Sequence, residues 1–208
     1  KASKNHDGGR IAFGPDGYLY VTTGDAEDSS LAQNANSLNG KILRIKNDSE
    51  VEIYSSGHRN PQGLAWDQDG QLWSTEHGPS GLQTGYDELN KIIQGANYGW
   101  PLIKGDQQKA GFTSPVIHSG SQDTWAPASL AYFNGNLYFA GLRSESIYKY
   151  DLETNKLSLF LAKQYGRLRT IVLGPDGYFY VTTSNTDGRG KPKSDDDRVL
   201  KIPPDMIK

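Results

Sequence analysis

The chain has 208 residues, and its 22 lysines and arginines are nearly balanced by 24 aspartates and glutamates. This balance gives no support for binding to nucleic acid or to a membrane surface. Cysteine is absent, which excludes disulfide bonds, and no apolar run reaches the roughly 18 residues that a membrane-spanning helix needs.

The first predicted element is a β-hairpin, and the same hairpin phrase occurs four times. A short apolar strand, an Asp-Gly or Asn-Gly turn and an aromatic-rich strand follow one another over residues 9–21, 62–73, 127–139 and 169–181. Both dipeptides suit the positive backbone angles of tight hairpin turns. Strand-built repeats of roughly 40–50 residues are typical of β-propellers. The 24 glycines, well above the usual ~7%, fit such a turn-rich fold.

Each hairpin is followed by at least one more predicted strand. Third strands are predicted over residues 41–45, 89–93, 147–150 and 199–202, and further β-type runs lie at 51–54 and 157–160. These runs can complete four-stranded blades. No segment carries a sustained helical period with capping residues. The sequence therefore predicts an all-β fold, a β-propeller with about four blades present, as a single domain over residues 1–208.

The beginning of the chain is unusual for a closed propeller. Residues 1–4 contain neither an initiator methionine nor an apolar signal region, and the first strand follows almost at once. A ring that is not closed leaves a sheet edge exposed. We expect a domain that lacks its N-terminal blades; a small complete propeller with an ordinary tail is the alternative.

Polar residues recur in two short segments that flank each predicted hairpin, one just before its first strand and one just after its second strand. We call these segments corners. Equivalent loops of successive blades meet around the propeller axis, so these corners should contribute to one site. In chain order, the corners contain His6, Asp25, Arg59, Asn60, Thr124, Trp125, Arg143, Arg167 and Arg169. This shared register favours a common polar site over scattered surface charge.

Four arginines in this set indicate an anionic ligand. At the end of the propeller axis where these loops meet, four guanidinium groups would repel one another unless they bound an anion. They belong to Arg59, Arg143, Arg167 and Arg169. Guanidinium groups match the geometry of carboxylates and phosphates. Ordinary pairing with surface aspartates is the alternative for any one of them. We predict a small ligand with several negative charges.

His6 and Asp25 are candidates for acid–base chemistry. A histidine side chain has an ordinary pKa near 6.5, which suits proton abstraction near neutral pH. Asp25 lies at the partner corner of the same blade and could hold the imidazole and stabilise its charged form. A purely structural histidine is the alternative.

Two segments carry candidate ligands for a cation. Gly78 and Pro79 lie where a blade loop should reach the axis, and hard cations accept backbone carbonyl oxygens. Asp87 and Glu88 are adjacent carboxylates that can bind Ca²⁺, although such a pair is more often a solvated turn. Their spacing is not that of an EF-hand.

Several of these motifs occur in the same order in one known family. They lie at residues 5–10, 24–25, 57–63, 76–79, 87–90 and 95–101, and the runs 57–63 and 95–101 are the most specific. Over nearly the whole chain, the sequence resembles the soluble PQQ-dependent sugar dehydrogenases, which comprise soluble glucose dehydrogenases and aldose sugar dehydrogenases. Members of this family are six-bladed propellers, so the resemblance implies that this chain forms the last four blades.

The resemblance implies a role for each candidate residue. His6 matches the general base that removes the proton from the anomeric hydroxyl of the sugar, and Asp25 matches the acid that orients it. Arg59 and Asn60 match residues at the reactive quinone carbonyl, so Arg59 counts as both catalytic and cofactor-binding. The other implied cofactor-binding residues are Thr124, Trp125, Arg143, Arg167 and Arg169. Gly78 and Pro79 match carbonyl ligands of the Ca²⁺ that PQQ also chelates, and Asp87, Glu88 and Tyr98 match ligands of a second, structural Ca²⁺.

Departures from the family pattern favour the aldose sugar dehydrogenase branch over the glucose enzymes. Arg143 stands where the glucose enzymes have a lysine, which keeps the charge but changes the geometry. Gln122 and Trp125 do not reproduce the aromatic pattern of the glucose enzymes next to Thr124, and the long insertions and disulfide cysteines of the bacterial glucose enzyme are missing. The implied partners are aldose sugars and an external electron acceptor, and the implied location is periplasmic or extracellular.

Two other functional classes are compatible with a propeller. A lactonase or related Ca²⁺-dependent hydrolase would need a metal held by side-chain carboxylates at the axis and has no use for four arginines. A non-catalytic module for ligands or proteins is the other alternative, and it is favoured if PQQ does not bind the full-length protein.

Overall fold

The computed structural model describes residues 1–47, 50–79 and 84–208, and their strands form four antiparallel sheets. The first sheet contains β1 (Ile11–Phe13), β2 (Leu19–Thr23), β3 (Lys41–Asn47) and β4 (Glu50–Ser56), with a one-turn helix α1 (Ser30–Gln33) between β2 and β3. The second contains β5 (Pro61–Trp66), β6 (Leu72–Glu76), β7 (Glu88–Lys91) and β8 (Ile117–His118). The third contains β9 (Pro127–Phe133), β10 (Asn136–Gly141), β11 (Ser146–Asp151) and β12 (Leu157–Phe160). The last contains β13 (Leu168–Leu173), β14 (Phe179–Thr183) and β15 (Val199–Ile202), followed by a 3₁₀ turn at Pro204–Ile207.

The four sheets succeed one another as the blades of a propeller. Within each sheet the strands pair in chain order. The first strands of successive sheets contact each other, β1 with β5, β5 with β9 and β9 with β13. The predicted all-β propeller with four blades is therefore confirmed. The short strand β8 and the helix α1 were not predicted.

The repeated hairpin phrase has a direct structural meaning. In the first hairpin, Asp16 accepts hydrogen bonds from the Tyr18 N–H at 3.2 Å and from the Tyr20 hydroxyl at 2.9 Å. Asp176 accepts the same two bonds in the last hairpin, from the Tyr178 N–H at 3.3 Å and the Tyr180 hydroxyl at 2.8 Å. The glycine that follows each aspartate adopts a positive φ, which glycine tolerates best. The Pro-Asp-Gly-Tyr-x-Tyr phrase thus encodes a turn that is locked by its own aspartate.

Apolar side chains fill the spaces between neighbouring sheets. Because side chains alternate along a strand, β10 contributes to two layers at once. Leu137 and Phe139 pack with Trp73 of the second sheet, whereas Tyr138 and Ala140 pack toward the last sheet. The sheets are therefore held by burial on both faces.

The first and last sheets leave apolar side chains exposed. Ile11 and Phe13 of β1 are 63% and 73% exposed, and Val199 of β15 is 68% exposed. Within the described residues, no further sheet covers these faces. No helix in the described part of the chain is long and apolar enough to cross a membrane.

A buried lysine anchors the loop between β2 and β3. Lys41 is 1% exposed, and its Nζ donates to the carbonyl oxygens of Leu31 at 2.9 Å, Ala32 at 2.9 Å and Asn39 at 2.8 Å. Leu31 and Ala32 belong to α1, and their carbonyl oxygens each accept one backbone N–H as well, from Asn34 and Gly57 at 3.2 Å. The ammonium group therefore holds α1 against the first sheet.

Replacement of Lys41 by methionine should lower the free energy of unfolding by about 2–3 kcal/mol, because three charge-assisted hydrogen bonds from the ammonium group to backbone carbonyl groups are lost. Urea denaturation followed by circular dichroism measures this loss. Lys91→Met, at an exposed position of β7, is the control and should change stability by less than about 0.5 kcal/mol. Equal small losses in the two variants would argue against the anchoring role.

Candidate active site

A cavity of about 760 Å³ collects loops from all four sheets. Most of the residues predicted from the sequence line it, namely His6, Arg59, Asn60, Gly78, Pro79, Asp87, Thr124, Arg143, Arg167 and Arg169. The structure therefore brings together side chains that are up to about 160 positions apart in the sequence. Asp25, Glu88, Tyr98 and Trp125 lie outside this lining among the described residues.

His6 is held between a carboxylate and a guanidinium. Its Nδ1 lies 3.0 Å from Asp25 Oδ1, and Arg59 Nη2 lies 2.9 Å from its Nε2. A carboxylate accepts and a guanidinium donates, so Nδ1 carries the hydrogen and Nε2 is the acceptor. The network thus selects the neutral imidazole tautomer whose Nε2 can take a proton.

Asp25 is itself fixed by several donors. It is 2% exposed, and its Oδ1 also accepts the Glu27 N–H at 3.0 Å. Its Oδ2 accepts the indole N–H of Trp100 at 2.8 Å. Because both oxygens are hydrogen-bonded, the buried carboxylate has little freedom to turn away from His6.

Arg59 and Asn60 are positioned by the buried carboxylate of Glu76 at the end of β6. Glu76 Oε1 accepts the backbone N–H groups of Arg59 and Asn60, and Oε2 accepts His58 Nδ1 at 2.8 Å. His58 is 0% exposed and stacks on the ring of Tyr98. Sequence reasoning gave neither Glu76 nor His58 a role, because one sequence does not show which carboxylates are buried.

The arginines are only partly neutralised by nearby acids. Arg167 donates from Nε and Nη2 to Asp187 Oδ2, at 3.1 and 2.9 Å. Arg169 Nη2 lies 3.6 Å from the same oxygen. Arg143 is exposed and forms no ion pair with any residue that the structure describes. Arg189, which sequence reasoning missed, adds a fifth guanidinium to the cavity wall. The wall therefore offers cations that an anionic ligand can bind.

Thr124 and Trp125 are separated by the fold. Thr124 lines the cavity, and its hydroxyl lies 3.1 Å from the hydroxyl of Thr84. Trp125 is 4% exposed, and its ring packs against Phe139 and Tyr148 with centroids 5.4 Å apart in each case. The structure does not bring the Trp125 side chain to the cavity, because it belongs to the core beneath the third sheet.

Asp87 fixes the loop that contains Gly78. Its Oδ1 accepts the Gly78 N–H at 2.9 Å, and its Oδ2 accepts the N–H groups of Trp125 at 2.6 Å and Ala126 at 2.9 Å. Burial raises the pKa of Asp87, and the backbone donors oppose that shift. Asp87 therefore joins the loops of two sheets at the cavity wall.

Glu88 and Tyr98 line a second, smaller cavity behind Gly78 and Pro79. Burial, with repulsion from Glu76 and Asp87, raises the pKa of Glu88 to about 8. The Tyr98 hydroxyl donates to the Lys91 carbonyl and accepts the Ile93 N–H at 3.0 Å. Among the described residues, no group of three or more imidazole and carboxylate side chains is arranged to hold a metal ion. A cation here would need backbone carbonyl ligands in addition to the acids.

His77 is a polar residue of the cavity wall to which the sequence assigned no function. Burial, followed by the charge of Arg59, lowers the pKa of His77 to about 3, so its imidazole is neutral. Its Nε2 is buried and forms no hydrogen bond with any of the described residues. An unpartnered buried nitrogen carries a desolvation cost that the rest of the fold must offset.

Comparison with known proteins identifies similar sequences. The family model described as "Glucose / Sorbosone dehydrogenase" matches residues 1–192. The aldose sugar dehydrogenase YliI of Escherichia coli is 31% identical over 88% of this chain and 58% of its own length. Quinoprotein glucose dehydrogenase B of Acinetobacter calcoaceticus is 33% identical over 53% of this chain and 29% of its own length.

A solved structure agrees with these similarities. The PQQ-bound aldose sugar dehydrogenase of Streptomyces coelicolor superposes with a TM-score of 0.88 and is 43% identical, over 96% of this chain and 62% of that one. This chain therefore spans less than two thirds of the length of the relatives named here.

Asp87→Asn should lower the free energy of unfolding by about 2–4 kcal/mol, because one amide oxygen cannot replace two carboxylate oxygens for three buried N–H groups. Thermal and urea denaturation, each with and without Ca²⁺, measure the loss. If Asp87 also ligates Ca²⁺, the variant should lose the calcium dependence of its Tm.

Asp67→Asn is the matched control for this substitution. Asp67 also accepts three N–H groups, from Asp69, Gln71 and the Trp73 indole, but it lies in a partly exposed turn where water can replace them. Its loss should stay near 1 kcal/mol or below. A loss at Asp87 no larger than at Asp67 would show that Asp87 does not hold the loops.

Proposed function

Because the chain belongs to the glucose/sorbosone dehydrogenase family, we propose that it carries the catalytic residues of an enzyme that oxidises aldose sugars at C1 to the lactone with PQQ and Ca²⁺. The observation that carries this proposal is His6, oriented by Asp25 and in contact with Arg59, in a cavity lined by arginines. A base beside an anion-binding wall is what such a reaction needs.

The residues present fit a quinone that bears three carboxylates. Arg167 and Arg169 share one carboxylate, Asp187, and so retain positive charge for a ligand. Together with Arg143 and Thr124 they would bind the carboxylates of PQQ, and bidentate guanidinium–carboxylate bonds would fix its orientation. The guanidinium of Arg59 and the amide of Asn60 would bind the reactive quinone carbonyl.

Two calcium ions belong to this proposal. The carbonyl groups of Gly78 and Pro79, on a loop fixed by Asp87, would hold the ion that contacts the cofactor. Asp87, Glu88 and the Tyr98 backbone would hold a structural ion. The raised pKa of Glu88 supports this second site, because a cation would relieve the repulsion among neighbouring carboxylates.

When bound, PQQ polarised by Ca²⁺ supplies the electron-pair acceptor for the hydride that leaves C1 of the sugar. The residues of this chain handle the proton and the geometry. His6 Nε2 takes the proton of the anomeric hydroxyl, which replaces the Arg59 N–H at that nitrogen. Asp25 stabilises the imidazolium that forms, and Trp100 and Glu27 keep Asp25 in place. Loss of one hydride and one proton converts the aldose to its lactone.

The whole protein would need more than this chain. The exposed apolar faces of β1 and β15, and a span of about 58% of the Escherichia coli relative, support further blades that complete the ring. We further propose an external electron acceptor that reoxidises the cofactor and a periplasmic or extracellular location.

The hydrolase alternative is less well supported. It requires a cation held by several side-chain carboxylates at the axis, and the described residues contain no such group. It also leaves the cluster of arginines without a ligand.

His6→Gln in the full-length protein should lower kcat for aldose oxidation by about 10²–10⁴, because general base catalysis is lost. PQQ affinity should remain within a few-fold of wild type. Dye reduction measures the first quantity and fluorescence titration the second. His118→Gln is the control, since His118 also pairs with a carboxylate, Asp106 at 3.1 Å, but does not line the cavity within the described residues. Dye reduction by the His6 variant at nearly the wild-type rate would eliminate His6 as the base.

Arg169→Ala should weaken PQQ binding by roughly tenfold or more, because a charge-assisted hydrogen bond to a carboxylate is lost. Arg169→Lys should show an intermediate loss, since it restores the charge but not the planar fork. Arg44→Ala removes an arginine that pairs with Glu52 outside the cavity and should leave PQQ affinity unchanged. Equal PQQ affinity in all three variants would refute the anionic-cofactor site. Titrations at two salt concentrations should show that residual binding is more salt-sensitive in Arg169→Ala.

A further inference from the structure

Trp100 contacts two members of the proposed catalytic group at once. Its indole N–H donates to Asp25 Oδ2 at 2.8 Å, on the carboxylate that holds His6. The Arg59 guanidinium lies 5.5 Å from the centroid of the same indole ring. A cation at this distance from an aromatic face is attracted to it.

Trp100 does not line the large cavity within the described part of the chain; it lies behind Arg59, at the wall of the smaller cavity. A residue in that place cannot contact a ligand of the large cavity directly. Its effect on the reaction would pass through Asp25 and Arg59.

Trp100 is itself held firmly by its backbone. Its N–H donates to the Gly57 carbonyl at 3.0 Å, and its carbonyl accepts Gln33 Nε2 at 2.6 Å. Gln33 also exchanges hydrogen bonds with the side chain of Asn97, at 3.1 and 2.8 Å. Gln33 belongs to α1, which Lys41 anchors to the first sheet. The indole is therefore a fixed donor.

We propose that Trp100 is a positioning residue for the His6–Asp25 pair, an inference that rests on the proposed function. The terminal torsion of an aspartate is broad and nearly two-fold, so the hydrogen bonds of Oδ1 with His6 and the Glu27 N–H do not by themselves fix the carboxylate plane. The indole N–H on Oδ2 keeps Oδ1 directed at His6 Nδ1. The indole ring keeps Arg59 at the other side of the imidazole. Both nitrogens of His6 then stay in the arrangement that leaves Nε2 as the acceptor.

Trp100→Phe tests this inference, because it keeps an aromatic ring facing Arg59 and removes the N–H. Trp73→Phe is the matched control: the Trp73 indole donates to Asp67 at 2.9 Å, in a hairpin turn outside the large cavity. Thermal denaturation of both variants verifies that they fold.

The first readout needs neither PQQ nor sugar. In the cofactor-free full-length protein, nitrogen-15 NMR of labelled histidine follows the tautomer of His6. In Trp100→Phe, the nitrogen-15 shifts of neutral His6 should move toward a mixture of the Nδ1–H and Nε2–H tautomers, because Asp25 Oδ1 is no longer kept on Nδ1. Within the described residues, the other ionisable groups that act on His6 are Arg59, Glu27 and His77, and the substitution leaves them in place.

The second readout is the reaction. In the protein loaded with PQQ and Ca²⁺, Trp100→Phe should lower kcat for aldose oxidation by roughly 10-fold to 100-fold, as expected when a catalytic group is misplaced. KM and PQQ affinity should stay within about twofold of wild type, because Trp100 does not line the binding cavity.

The outcomes separate the inference from the proposed function. A His6 tautomer ratio and a kcat equal to those of Trp73→Phe would overturn the positioning role, and so would a changed tautomer ratio without loss of kcat. If the wild-type protein oxidises no aldose, the proposed function fails, and the NMR readout alone still decides whether Trp100 holds the His6–Asp25 pair.

Discussion

The site depends on three buried carboxylates that must be fully hydrogen-bonded. A charge removed from water is costly unless it is paired or bonded by several donors. Asp25 follows β2 and bonds His6 and Trp100, and Glu76 ends β6 and bonds His58 and the backbone of Arg59. Asp87 precedes β7 and bonds the loops at Gly78 and Ala126. Each carboxylate therefore lies at the end of a strand. It forms hydrogen bonds with loops whose positions strand pairing alone does not fix.

These carboxylates also determine where positive charge remains. Asp25, Glu76 and Asp87 attract the Arg59 guanidinium electrostatically, but within the described residues none of them forms an ion pair with Arg143, Arg167 or Arg169. Asp187 pairs with both Arg167 and Arg169. Burial lowers the pKa of Arg59, and the negative charges of the nearby acids oppose this shift. The result is a cavity whose wall favours an anion, next to an imidazole whose tautomer is already set. This combination places an anion-binding surface next to a proton acceptor.

The sequence predicted what is encoded locally and missed what depends on burial. The hairpins could be predicted because Asp16 and Asp176 form turns with their nearest neighbours. The register of the polar corners then brought distant residues such as His6 and Arg169 to one cavity, as the propeller requires. The strand β8 has only two residues, Ile117 and His118, which is too short to leave a periodic signal.

The residues that were missed or misplaced share one cause. Trp125 follows Thr124 directly, yet successive residues face opposite sides of an extended chain, so Trp125 enters the core while Thr124 faces the cavity. Glu76 and Trp100 act from behind the cavity, and nothing in a single sequence distinguishes a buried carboxylate or indole from an exposed one. Arg189 lies beyond the corner that the hairpin register defines.

The absorbance spectrum of PQQ in a single turnover of the full-length protein shows whether this cavity oxidises aldoses. PQQ and Ca²⁺ are added first, and an aldose is then mixed in without an electron acceptor. We expect that the protein binds PQQ and that the absorbance of the oxidised quinone disappears on addition of the sugar, in proportion to the protein present. Failure of PQQ to bind, or a bound quinone spectrum that aldoses leave unchanged, would contradict it.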